Sequence, residues 1–283
     1  MEQIDELLER INKEFMAEGI PHIQRSFLAL SKLSIMLNKS IQFGSEESDY
    51  VHDWFSKRSK ASSLCIGSLF EAAYYYDAEF WSVKIPIVFG TVNLGAFDAL
   101  SDMPEINKEI IAQDRKQSWR YALFWADCVD FGYGLSDLSS QKSDSFGMQL
   151  LNAGFEELQS ATSALLSQKP NKRAIMSLRM ASEMFMKSYL ALKGHLDEKG
   201  ARKLSHNLDD ALKEVVEVSG QRFPNEVFQL VKLFPSIHER YAEQQASNKD
   251  IAHCYDFALS LGALVIREAT DRNIQAQVLG NNL

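Results

Sequence analysis

Six prolines and fourteen glycines punctuate 283 residues, and they fall between stretches whose apolar residues recur every three or four positions. A β-sandwich needs a turn about every 8–12 residues, and turns are built largely from those two residue types. The chain is therefore expected to be all-α, with helices joined by short breaks. Hydrophobic residues make up 46% and charged residues 24%, which suits one large globular domain or two of ordinary size.

In the first half, Ile4, Leu7, Leu8, Ile11 and Phe15 mark a helix from Glu2 to about Phe15. Ile23, Phe27, Leu30, Leu33 and Leu37 mark a second, from Pro21 to about Ile41. Ser48 or Asp49 is placed to cap a third. In "ASSLCIGSLFEAAYYYDAEFW", Cys65, Leu69, Ala72, Ala73 and Tyr76 recur at helical spacing and predict a buried helix. "SVKIPIVFGTV" is dominated by β-branched residues, but Pro86 and Gly90 restrict it to a short edge strand or an extended connector. Asp102 and Pro104 open a long helix that runs to about Asp130. The Gly-, Ser- and Asp-rich stretch Gly132 to Gly147 reads as a boundary. It separates a helical N-terminal region, residues 1–135, from a second domain, residues 144–271.

That second domain reads as five helices: Phe146 to Gln168, Asn171 to Lys193, one within "SHNLDDALKEVVEVSG", Glu226 to about Glu243, and Asp250 to about Asp271. "HLDEKGARKL" reads as a polar connector and the tail after Arg272 as frayed. The most informative stretch is "SLRMASEMFMKSYLALKG", Ser177 to Gly194. Leu178, Ser182, Phe185, Tyr189 and Leu192 form its apolar face. Arg179, Glu183 and Lys187 form a charged line at i, i+4, i+8. On an exposed helix such pairs contribute about 0.2–0.5 kcal/mol each. The methionines and leucines beside them predict a half-buried line instead, wired to a neighbouring helix through Glu239 or Arg240.

Most signatures of chemistry are missing. The net charge of −8 disfavours broad, non-specific phosphate binding. There is no glycine-rich phosphate loop and no nucleophile elbow, and no cofactor is expected. Cys65, Cys128 and Cys254 are odd in number, far apart and in apolar settings, as reduced thiols of a cytoplasmic protein would be. Asp250 and His253 have metal-ligand spacing, but Asp250 is better placed as a first-turn acid at a helix N-terminus. Asp127 and Asp130, and Glu71, Asp77 and Glu79 beside a tyrosine run, suit either acid–base work or hydrogen bonding to the aromatic groups around them, with the second favoured. The acidic N-terminus lacks the basic start and apolar stretch of a signal peptide. No apolar run reaches the roughly 18 residues of a membrane span, so a cytoplasmic location away from membranes is expected.

Four features, in this order, resemble the HEPN ("higher eukaryotes and prokaryotes nucleotide-binding") helical family: "SLRMASEMFMKSYLALKG"; "SHNLDDALKEV", similar to the family's H-[DN]-L helix opening; "IHERY", similar to its Arg-Tyr; and the small-residue closing helix "AHCYDFALSLGALVIREA". The resemblance covers roughly residues 146–271 and implies a five-helix up-down bundle. Many HEPN domains are ribonucleases that use an Arg followed a few residues later by a His. Here Arg240 stands in the matching place, but "RYAEQQASN" offers no His. The resemblance then implies a non-catalytic binding module, homodimeric, engaging a protein, a nucleotide or RNA in a stress, defence or toxin–antitoxin setting. Arg179, Glu183, Lys187, Glu239, Arg240 and Tyr241 are its expected binding residues. Two alternatives stand beside it. One is a metal-independent ribonuclease using Arg240 with His238 or His253. The other is an immunity-type protein whose acidic surface blocks a basic toxin.

Overall fold

Apolar residues at helical spacing close a small core at the start of the chain. The computed structural model describes residues 2–42, 44–59, 68–88, 93–140, 145–220 and 223–280, without the side chains of residues 2, 3, 140 and 240. It divides into two units, Met1–Gly67 and Ser68–Leu283.

The first unit packs α1 (Glu2–Ala17), α2 (His22–Met36) and α3 (Glu46–Ser56) around Leu8, Ile11, Phe15, Ala29, Leu33 and Phe55. Two expectations change here. Ser45, not Ser48 or Asp49, caps α3, its side chain accepting from the Ser48 amide. Ile23, Phe27 and Leu37 are exposed rather than inward. The buried line of α2 runs Arg25, Ala29, Leu33, which turns the expected stripe partly outward. Arg25 is tolerated inside because its guanidinium donates to the Ile20 carbonyl (2.8 Å) and to Asn12 (3.1 Å).

The second unit begins with a β-hairpin, β1 (Phe70–Tyr76) and β2 (Glu79–Ile85), where the sequence predicts a buried helix. Tyrosine and phenylalanine favour a pleated, half-buried surface. Here Phe70, Ala72 and Tyr74 oppose Ile85, Val83 and Trp81 on one face. Pro86 follows the last paired residue, as its missing N–H requires. Cys65 lies outside the described residues.

Next come α4 (Glu105–Gln113) and α5 (Arg115–Ser140) in place of the single long helix expected. The break falls at Asp114, whose carboxylate accepts from the Lys116 and Gln117 amides and so caps α5. α5 enters the Gly/Ser-rich stretch where the sequence suggested a boundary and is described as far as Ser140; residues 141–144 lie outside the described residues. Its glycines mark close approach rather than flexibility: a Cβ at Gly132 would lie 2.8 Å from the Phe70 Cβ, and one at Gly134 would strike Ile266.

α6 (Phe146–Leu165) and α7 (Ala174–Leu192) pack side by side, and α11 (Asn248–Ala269) joins α7 to α5. Asp197 opens a helix in the expected connector, α8 (Glu198–Leu204). Asn207 caps α9 (Leu208–Ser219), and Gly220, at φ 63°, ends it in the left-handed region. α10 (Asn225–Val231) is shorter than expected because Pro235 cannot continue a helix; a separate 3-10 turn spans Ile237–Tyr241. Ser247 and Asp250 cap α11 reciprocally, which accounts for Asp250. The tail, expected to fray, forms α12 (Ile274–Gly280). The described chain is thus mostly helical, with one two-stranded sheet. None of its described helices is long and apolar enough to cross a membrane.

Candidate functional site: the cleft between α7 and α8

The charged line of α7 is more deeply buried than its spacing suggests. Arg179, Glu183 and Lys187 are 7%, 1% and 6% exposed. Their partners lie in the turn from α8 to α9. Lys187 Nζ donates to Glu183 Oε1 (2.7 Å) and to the Ser205 carbonyl (2.6 Å). Arg179 Nη2 donates to the His206 carbonyl (2.6 Å). The His206 ring closes the clasp, with Nδ1 at 3.1 and 3.0 Å from the two Glu183 oxygens. A nitrogen facing a carboxylate so closely carries the proton, so Nδ1 donates.

The clasp explains how an awkward turn is held. Ser205 has φ 53° and ψ −137°, and the Asn207 amide reaches back to the Leu204 carbonyl at 3.5 Å. This approximates a turn that favours glycine at Ser205's position, and a side chain there costs about 1–3 kcal/mol. The Ser205 and His206 carbonyls, just past the end of α8, each meet a buried cation, which satisfies them. Burial pulls the Arg179 pKa down, with Glu183 partly offsetting it. Among the described residues Arg179 Nε, itself buried, has no hydrogen-bond partner.

Above the clasp opens a cleft of about 390 Å³. Phe146 and Leu150 from α6 and Met184 from α7 give it an apolar wall. Arg202 and His206 stand at the polar side, with side chains 83% and 50% exposed. Arg202 lies 3.9 Å from Glu198, a loose surface pair. Lys199 and Lys203 are exposed on α8 but do not line the cleft, whereas Glu198 does. Both Glu183 oxygens are engaged, so this carboxylate is a scaffold rather than a free base. The cleft can offer cations and an imidazole to an anionic group.

The structure brings Arg179, Glu183 and Lys187 together, and among the described side chains their partners lie in the Ser205–His206 turn rather than at Glu239. Glu239 instead accepts from the Ser236 amide (2.7 Å) as a cap of the 3-10 turn. Tyr241 is 79% exposed. The Arg240 side chain lies outside the described residues. Arg202 and His206 are the site residues that the charged line did not reveal; the signal was "SHNL", quoted as a helix opening.

The paired acids of the first half are structural. Asp127 and Asp130 are buried on α5 and share Arg267, which reaches them at 2.5 and 2.7 Å. Asp127 also accepts from Ser260 and Gln275, and Asp130 from the Ile274 and Gln275 amides. Burial raises the pKa of Asp127 against the pull of Arg267. Glu71 accepts from Ser82 (2.5 Å), and Asp77 forms the hairpin turn. Cys128 and Cys254 are buried thiols whose pKa values burial pushes up. Among the described residues no group of three or more His, Cys, Asp or Glu is placed to hold a metal.

Comparison with known proteins finds no family model, no curated protein and no solved structure that matches this chain.

Proposed function

We propose that residues 144–271 form a HEPN-like bundle acting as a non-catalytic, cytoplasmic binding module, and that its α7–α8 cleft takes a phosphate group of RNA or of a nucleotide. The observation that carries this reading is the Glu183–Lys187–His206 clasp. It fixes the turn at the cleft's edge while Arg202 and His206 remain exposed there. Buried charges spent on holding a surface turn are consistent with preorganisation of what that turn presents. The test is fluorescence anisotropy with a labelled single-stranded RNA and, separately, a labelled ATP analogue, at several salt concentrations. Saturable, salt-sensitive binding is expected, weakened by Arg202→Ala and His206→Ala. For RNA, each lost phosphate contact reduces the log–log salt slope by about 0.7. Binding of neither probe, or binding indifferent to both substitutions, sinks the reading.

A second reading is favoured by one geometric fact: a carboxylate orients the His206 imidazole at the cleft's edge, with Arg202 one turn before it. A positioned imidazole is the commonest general acid or base, and a metal-independent ribonuclease would use it in place of the missing histidine after Arg240. Incubation of the same RNA with EDTA, followed on a denaturing gel, decides this. Cleavage that disappears in His206→Ala supports catalysis; intact RNA removes it.

A further inference from the structure

α4 has a dry side and a wet side that do not match its amphipathic pattern. It buries Ile111 alone. Ile106 and Ile110, one turn apart, are 61% and 48% exposed. Exposed Glu105 and Glu109 flank them, giving an acidic and apolar ridge. Beside this ridge, where α4 meets α5, lies a groove of about 1050 Å³. Trp119 and Ala122 of α5 and Val278 and Leu279 of α12 supply its apolar lining, and Arg115 and Lys116 its basic rim. Among the described residues neither Arg115 nor Lys116 makes an ion pair, although the chain carries a net charge of −8.

We propose that this face joins two copies of the chain about a two-fold axis. The Ile106/Ile110 ridge of each copy enters the groove of the other, and Glu105 and Glu109 meet Arg115 and Lys116. An isologous interface requires one patch complementary to itself. A ridge of isoleucines edged by glutamates and a groove of apolar side chains edged by Arg and Lys provide both halves on adjoining surface. A foreign partner would need only one of them. Glu105 now pairs with Lys108 at 3.3 Å in an exposed i,i+3 contact, which is weak and readily exchanged. The α7–α8 cleft uses none of these residues, so the dimer and the proposed ligand site stand or fall separately.

The experiment is sedimentation equilibrium of the full chain, with circular dichroism as a check of folding. The native chain is expected at twice its 32.1 kDa mass at micromolar concentration. Ile106→Glu with Ile110→Glu removes the apolar ridge and yields a folded monomer. Arg115→Glu with Lys116→Glu, and separately Glu105→Lys with Glu109→Lys, each place like charges across both contacts and weaken self-association at least tenfold. Mixing these two charge-reversed chains restores opposite charges at both contacts and re-forms a dimer. A monomeric native chain overturns the proposal. So does a dimer unaffected by the isoleucine substitutions, or a mixture that stays monomeric.

Discussion

Lys187 has little water to turn to if Glu183 is lost. Their side chains are 8% and 1% exposed, and removing one member of a buried pair costs about 3–5 kcal/mol because the other charge is stranded. Glu183→Ala is therefore expected to lower unfolding stability by about that amount, read from urea denaturation. Replacing both, as Glu183→Leu with Lys187→Met, should recover only part of the loss. The Ser205 carbonyl would then lose its donor, at a cost of about 1–3 kcal/mol. A single substitution costing less than about 1 kcal/mol would place the pair in water and end the clasp argument. The sequence suggested two ion pairs along this line, and only one has formed. Glutamate preceding lysine by four residues is the favourable order and arginine preceding glutamate the reverse. Glu183 accordingly pairs with Lys187, while Arg179 binds the His206 carbonyl. That carbonyl lies 27 positions away, where no spacing rule reaches.

The β1–β2 hairpin shows why whole elements can be misread. Small residues at helical spacing predict a helix over Ala61 to Trp81, and no Asn-Gly or Asp-Gly announces a turn. Yet Asp77 and Ala78 both have positive φ, 49° and 67°, as a two-residue type I′ turn requires. The aromatic run outweighed the turn's poor chemistry because cross-strand pairs such as Tyr74–Trp81 contribute directly. Alanine pays roughly 1–2 kcal/mol for a left-handed conformation, whereas glycine pays mainly in unfolded-state freedom. Ala78→Gly is thus expected to stabilise the protein by about 0.5–1 kcal/mol, seen as a raised urea midpoint with unchanged slope. A lowered midpoint would mean the positive φ at Ala78 carries no strain. α12 was illegible for a different reason. None of its residues is buried, and its anchor, Asp130 to the Ile274 amide, spans 144 positions.

At the scale of the second unit, the helices meet at an aromatic junction. Phe131 of α5 touches Phe70, Phe155 and Phe185, with ring centroids 5.3, 6.0 and 5.5 Å away. Helical periodicity made most of the bundle legible, because Leu151, Leu158, Leu178, Phe185, Ala258 and Val265 repeat as a buried face must. It could not show which helices would be neighbours, since that depends on where small residues let large ones in. Gly262 of α11 is such a place: a Cβ there would lie 2.7 Å from the Phe131 ring and 3.1 Å from the Phe185 ring. Gly262→Ala gains up to about 1 kcal/mol of helix propensity but overpacks the junction, at about 1–3 kcal/mol. The loss is expected to win because both rings are fixed from several sides, giving a lower melting temperature. Phe131→Leu alone should also destabilise, by opening a cavity. In the double variant the added methyl occupies space the ring vacated, so its cost should fall short of the sum of the two by about 0.5–3 kcal/mol. Strict additivity would show that the glycine is present for some reason other than the ring it faces.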